Sequence, residues 1–170
     1  LDLDDRFANI KLPSGSAGDI TRFGTNPTVL VSSDFPIAIG PDGNLYYASH
    51  GPGGRVQIMQ FTPAGRTSIL VTLAVNGANG KPLHDINGLT AASDGSLYFT
   101  ENSAVRRITP GGQVSTVIAD VHLAKCATIP GMTPSDNPLL RGLAVGTAGT
   151  VSVAASGCGS VLEISRNGHV

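Results

Sequence analysis

This sequence has little charge. Asp, Glu, Lys and Arg together make up 14% of its 170 residues, and they nearly cancel to a net charge of −1. A chain this close to neutrality has no electrostatic footprint for nucleic acid or for an anionic membrane surface. Glu and Lys, strong helix formers, are scarce, which disfavours long helices. No stretch reaches the roughly 18 apolar residues of a membrane-spanning helix. Cysteine is limited to Cys126 and Cys158, too few to fix a redox compartment by count. A Ser-His-Asp spacing, a metal motif and a nucleotide motif are also missing. The glycines of "SHGPGGR", Ser49 to Arg55, lack the Lys-Ser/Thr ending of a phosphate loop and read as a hairpin loop.

What the sequence does have is turn chemistry. It holds 22 Gly and 11 Pro against 41% apolar residues, a mix that favours short strands joined by tight turns. Three segments repeat: "PIAIGPDGNLYYASHGPGGRVQIMQFTPAGRTSIL" from Pro36, "GLTAASDGSLYFTENSAVRRITPGGQVSTVI" from Gly88 and "GLAVGTAGTVSVAASGCGSVLEISRNGHV" from Gly142, with starts 52 and 54 residues apart. Each reads as an apolar strand, a Gly turn, an alternating strand, a polar loop, a second alternating strand, a second Gly turn and a fourth strand. The first turns are Pro41-Asp42-Gly43, Ser93-Asp94-Gly95 and Thr147-Ala148-Gly149. The second are Pro63-Ala64-Gly65, Pro110-Gly111-Gly112 and Arg166-Asn167-Gly168. Glycine there supplies the positive φ that short hairpins need.

Four antiparallel strands repeated at this period predict an all-β fold, a β-propeller of four-stranded blades. The organisation expected is an N-terminal segment at 1–16, a half blade at 17–33, a first blade at 35–77, a second at 86–122 and an incomplete third at 140–170. About three and a half blades are thus expected. The chain begins at Leu1 and its third repeat runs out at Val170, so a piece of a longer ring is the favoured expectation. Closure of one ring by two or three copies, a homo-oligomer, is the rival.

The run "GLTAASDGSLYFTENSAVRRITPGGQV" resembles an NHL-type blade. It is similar to blades of the SMP-30/gluconolactonase-like six-bladed propellers and of the streptogramin-lyase propellers. The resemblance implies a fold more firmly than an activity, since such blades serve enzymes and binding scaffolds alike.

Topology assigns the faces. In a blade, the turns between strands one and two and between three and four lie on one face, and all the short Gly turns fall there. The long connections, 76–86, 120–140, 50–54 and 156–159, fall on the other. Long loops in a compact fold carry function, so the long-loop face is expected to bind a small molecule, a glycan or a protein. It collects His50, His84, Asp85, Asn87, Glu101, Asn102, His122 and Arg141, while His169 falls opposite. Glu101 ends its strand where a general base would sit, and His84-Asp85 could form a base with its orienter. A solvated carboxylate, or one paired with Arg106 or Arg107, is the plainer reading of Glu101. Asn87 opens the innermost strand. The resemblance to the SMP-30-like enzymes implies a divalent cation there, Ca, Mg, Mn or Zn, held by oxygen ligands from several blades. The matching positions here are Phe35 and Arg141, which cannot ligate a metal, and Arg141 favours an anionic group.

Cys126 and Cys158 fall in adjacent loops of the same face. A disulfide between them would close a loop of about 32 residues and contribute about 3–4 kcal/mol. It would place the protein outside the cytoplasm, secreted or extracytoplasmic. The function expected is ligand or protein binding. The alternative is a metal-assisted lactonase or a streptogramin-type lyase acting at the propeller axis.

Overall fold

The computed structural model describes residues 36–78, 80, 82–83, 86–121, 138–165 and 169. The half blade expected at 17–33 and the candidates His84, Asp85, His122 and Cys126 lie outside the described residues.

The Gly turns decide the local structure. At Ala92 to Ser96, the Gly95 N–H donates to the Ala92 carbonyl and the Ala92 N–H to the Ser96 carbonyl. Gly95 takes φ 80°. This is a three-residue hairpin loop, a type I turn closed by a left-handed glycine. The same pair of bonds recurs at 40–44, 62–66, 109–113 and 146–150. Asp94 reinforces its turn by accepting the Ser96 N–H at 2.9 Å.

These turns fold the chain into three antiparallel sheets. The first holds β1 (Ile37–Ile39), β2 (Leu45–His50), β3 (Val56–Phe61) and β4 (Thr67–Thr72). The second holds β5 (Gly88–Ala91), β6 (Leu97–Glu101), β7 (Ala104–Ile108) and β8 (Val114–Ile118). The third holds β9 (Leu140–Val145), β10 (Val151–Ala155) and β11 (Ser160–Ile164). Spatial order follows chain order in every sheet. Among the described residues the third sheet has three strands. Beyond β11, the Ser165 N–H donates to the His169 carbonyl at 2.8 Å.

The sheets stack side by side, with β5 packed against both β1 and β9. Alternation sends Leu97 and Phe99 to one face of β6 and Tyr98 and Thr100 to the other. Leu97 and Phe99 join Tyr46, Ala48, Val56 and Ile58 in a core between the first and second sheets. Tyr98 joins Val151, Val153 and Ile164 in a core between the second and third. The approach of β9 to β5 is close: a Cβ on Gly88 would lie 2.2 Å from the Arg141 carbonyl oxygen. Gly88 is therefore required by its neighbour's backbone. Gly142, its counterpart in the third repeat, has open space at the same position.

Candidate binding face

The innermost strands bring Asn87 and Arg141 together. The Asn87 N–H donates to the Thr100 carbonyl at 3.0 Å and extends the β5–β6 ladder by one residue. Its side chain is half-buried. Across the gap to β9, Arg141 Nη1 donates to Asn87 Oδ1 at 3.2 Å, on the surface. Thr100 Oγ1 donates to the Arg141 carbonyl at 3.0 Å, fixing the same strand from beneath. Asn87 thus presents its oxygen to a guanidinium, and among the described residues no carboxylate pairs with Arg141.

Backbone strain sits beside this pair. Leu139 holds φ 45°, a left-handed conformation that is an outlier for a bulky side chain. Ser156 stabilises it, donating to the Leu139 carbonyl from both its N–H (3.2 Å) and its Oγ (2.9 Å). Strain of this kind costs about 1–3 kcal/mol and gathers at functional sites. No motif announces Leu139 or Ser156 in the sequence, because the left-handed turn is imposed by the loop that follows β10.

Glu101 stands at the end of β6 on the long-loop side, as its position predicts, but it is not solvated. It is fully buried, 0% exposed. The connection from β4 to β5 folds back over it: Asn76 bridges to Pro82, and the Gly80 N–H donates to the Gly77 carbonyl. Glu101 Oε1 accepts the Ala78 N–H and lies 3.5 Å from Arg106 Nη1. Of the two arginines within reach in sequence, Arg106 pairs with Glu101 because both point toward the first sheet. Arg107 points the other way and pairs with Asp94 at 2.9 Å. For Glu101 to act as a base, residues 76–78 would have to lift.

Asn102 and Ser103 form the whole link between β6 and β7, a two-residue turn at the polar loop of the repeat pattern. Asn102 adopts φ 50°, which its short polar side chain tolerates. His50 ends β2 at the surface of the same face, beside the 3-10 turn at Pro52–Gly54. Cys158 is buried, and no cysteine among the described residues is free. Among the described residues no group of three or more His, Cys, Asp or Glu side chains could hold a metal ion. No described helix is long and apolar enough to cross a membrane.

The short-turn face is electrostatically different. A groove of about 530 Å³ runs between the second and third sheets, lined by Asp94, Tyr98, Arg107, Ser115 and Thr116 among others. The Asp94 carboxyl is held below its ordinary value by the Ser96 N–H, with Arg107 adding to the effect. At Asp42 burial pushes the carboxyl up, but bonds from Tyr46 and Asn44 outweigh it and the net shift is downward.

No family model and no curated protein matches the chain. Solved structures do. A streptogramin B lyase matches with a TM-score of 0.53 and 21% identity, over 78% of this chain and 37% of that one. A catalytically inactive virginiamycin B lyase from Staphylococcus aureus, with quinupristin, matches with a TM-score of 0.54 and 20% identity, over 83% of this chain and 42% of that one. The fold is that of a β-propeller. The three sheets are its blades, and the chain spans about two fifths of the length of those lyases. A gluconolactonase from Xanthomonas campestris also matches, with a TM-score of 0.39 and 16% identity over 78% of this chain and 58% of that one, too loose a superposition to bear on the site.

Proposed function

We propose that this propeller is a binding module that takes a small anionic ligand on its long-loop face, with Arg141 as the anchor. The observation that carries the reading is the Arg141–Asn87 contact. It places an exposed guanidinium at the edge of the inner strands, oriented by a neighbouring blade and, among the described residues, not paired with a carboxylate. A guanidinium has five N–H donors in a rigid fork that suits carboxylates and phosphates. The same contact weakens the case for a cation at Asn87, since the oxygen a metal would use already faces a positive charge. Cys158, buried on this face, is read as disulfide-bonded to Cys126 and the protein as extracytoplasmic. An intact-mass change on reduction tests that pairing.

The binding reading is tested by NMR titration of the chain with citrate and inorganic phosphate, following the side-chain N–H signals of Arg141. Saturable shifts are expected, and Arg141→Ala should abolish them. Shifts that persist in Arg141→Ala would reject the anchor. The titration is paired with incubation against quinupristin, followed by mass spectrometry. Conversion of quinupristin would replace the binding reading with the lyase one. Lactone hydrolysis that a chelator stops would replace it with the metal-assisted one.

A further inference from the structure

The first and second blades carry the same tyrosine and the same turn aspartate, but bond them differently. Tyr46 and Tyr98 follow Asp42 and Asp94 at the same spacing, and each packs toward the next blade. In the first blade the cluster is closed. The Tyr46 hydroxyl donates to Asp42 Oδ2 at 2.7 Å and accepts from Gln60 Nε2 at 3.3 Å. The strand registers put Arg107 opposite Tyr98 where Gln60 stands opposite Tyr46.

That one exchange opens the second cluster. Arg107 Nη2 donates to Asp94 Oδ2 at 2.9 Å, the oxygen that serves the tyrosine in the first blade. The Tyr98 hydroxyl is left without a hydrogen bond to any described residue. Arg107 spends its Nε and Nη2 on Asp94 and Ser96. A guanidinium has five N–H donors, and the two on Nη1 have no partner among the described residues.

These unused donors border a cavity. Tyr98 and Arg107 line the groove of about 530 Å³ between the second and third blades, together with Asp94, Ser115, Val117 and Val151. That volume falls within the ~300–1,000 Å³ of small-molecule sites. The polar groups lie close to one another. The Arg107 guanidinium is 2.9 Å from Asp94 and 5.9 Å from the centre of the Tyr98 ring. Ser115 is its cross-strand neighbour on β8, so its side chain leaves the same face of the sheet.

Charge and bonding capacity select the ligand class. Asp94 and Arg107 cancel, so an anion would meet the carboxylate and a cation the guanidinium. A neutral molecule meets neither penalty. Its groups must both accept, from Arg107 Nη1 and the Tyr98 hydroxyl, and donate, to the lone pairs that Asp94 keeps. A hydroxyl does both, and adjacent hydroxyls on one ring can address both members of the ion pair. Val117 and Val151 supply an apolar lining for the ring's C–H face.

We infer that this short-turn groove is a carbohydrate site, which takes a neutral sugar with its hydroxyls on Asp94, Tyr98, Arg107 and Ser115. It lies on the face opposite Arg141 and is independent of the role proposed for that residue.

NMR titration of the chain with maltose, lactose and N-acetylglucosamine tests the site, following the Ser115 amide. Saturable shifts there are expected with at least one of these sugars. Tyr98→Phe keeps the ring and its packing and removes the hydroxyl, so affinity should fall about tenfold. Arg107→Gln rebuilds the arrangement of the first blade and returns Asp94 to Tyr98. It should abolish the shifts while amides of the β2–β3 hairpin stay in place. No saturable shift with any of the three sugars would overturn the inference, as would affinity unchanged in both variants. Saturable shifts at Ser115 with citrate and not with sugars would overturn the neutral class.

Discussion

Arg106 and Arg107 are adjacent on β7, and each lies over an aromatic ring of β6. The guanidinium of Arg106 is 5.9 Å from the centre of Phe99, and that of Arg107 is 5.9 Å from the centre of Tyr98. Each also has a carboxylate partner. Beyond that their surroundings diverge. Arg107 meets Asp94 at 2.9 Å, with Asp94 exposed and Arg107 partly so, and Ser96 Oγ takes two more of its N–H groups. Arg106 meets Glu101 at 3.5 Å, out of water, with atoms on both partners unpaired. The difference comes from the neighbouring elements. The first blade's β4–β5 connection closes over Glu101, whereas the groove between the second and third blades leaves Asp94 open. An exposed pair is worth about 0–1 kcal/mol. A buried pair must first recover the cost of desolvation, and removing one partner strands the other.

The largest effect should follow Glu101→Ala. It leaves Arg106 buried without a counter-charge and frees the Ala78 N–H, so a loss of about 3–5 kcal/mol is expected in urea unfolding. The double variant Glu101→Ala with Arg106→Leu reproduces the Ala155 and Leu162 pair of the third blade, and it should regain most of that stability. A double variant as unstable as the single one would mean that the burial of a lone charge is not what matters. At the more exposed pair, Asp94→Ala should cost no more than about 1 kcal/mol, and less in high salt. The smallest effect is that of pH on Asp94. Its carboxyl is depressed in the folded chain, so its stabilisation is present above the unfolded value near ~4 and is lost as pH falls through the folded one. Arg107→Ala should reduce that acid-side loss only in part, because the Ser96 N–H that chiefly holds the carboxyl down remains; an acid limb abolished in the variant would show that Arg107 dominates instead.

The contrast also shows what could be read from the chain alone. The strands and short turns were legible because Asp94-Gly95 and its counterparts carry local signals: a left-handed glycine and an aspartate that bonds two residues ahead. Period-two alternation through Leu97, Tyr98 and Phe99 gave the two faces of the blade. The long-loop face followed from strand order without any side-chain detail. Glu101 could be placed at the end of its strand, but its burial could not be foreseen. That burial depends on residues 76–78 returning across it from the previous blade, and no local pattern encodes a contact at that range. The choice between Arg106 and Arg107 was open for the same reason. Asn87 and Arg141 were each assigned to the inner strands, yet their contact spans 54 positions of sequence and depends on how closely β9 approaches at Gly88. Leu139 gave no signal at all, because its left-handed backbone is held by Ser156 from beyond the next hairpin.

The unbroken order of strands within each sheet has a kinetic consequence. Every pairing among the described strands joins a strand to its immediate successor, so each blade can zip up hairpin by hairpin at little loop-closure cost. Distant stretches of chain meet only when finished blades dock. The Arg141–Asn87 contact belongs to that docking step and completes late in folding, while the blades on either side of it are the cooperative units that precede it.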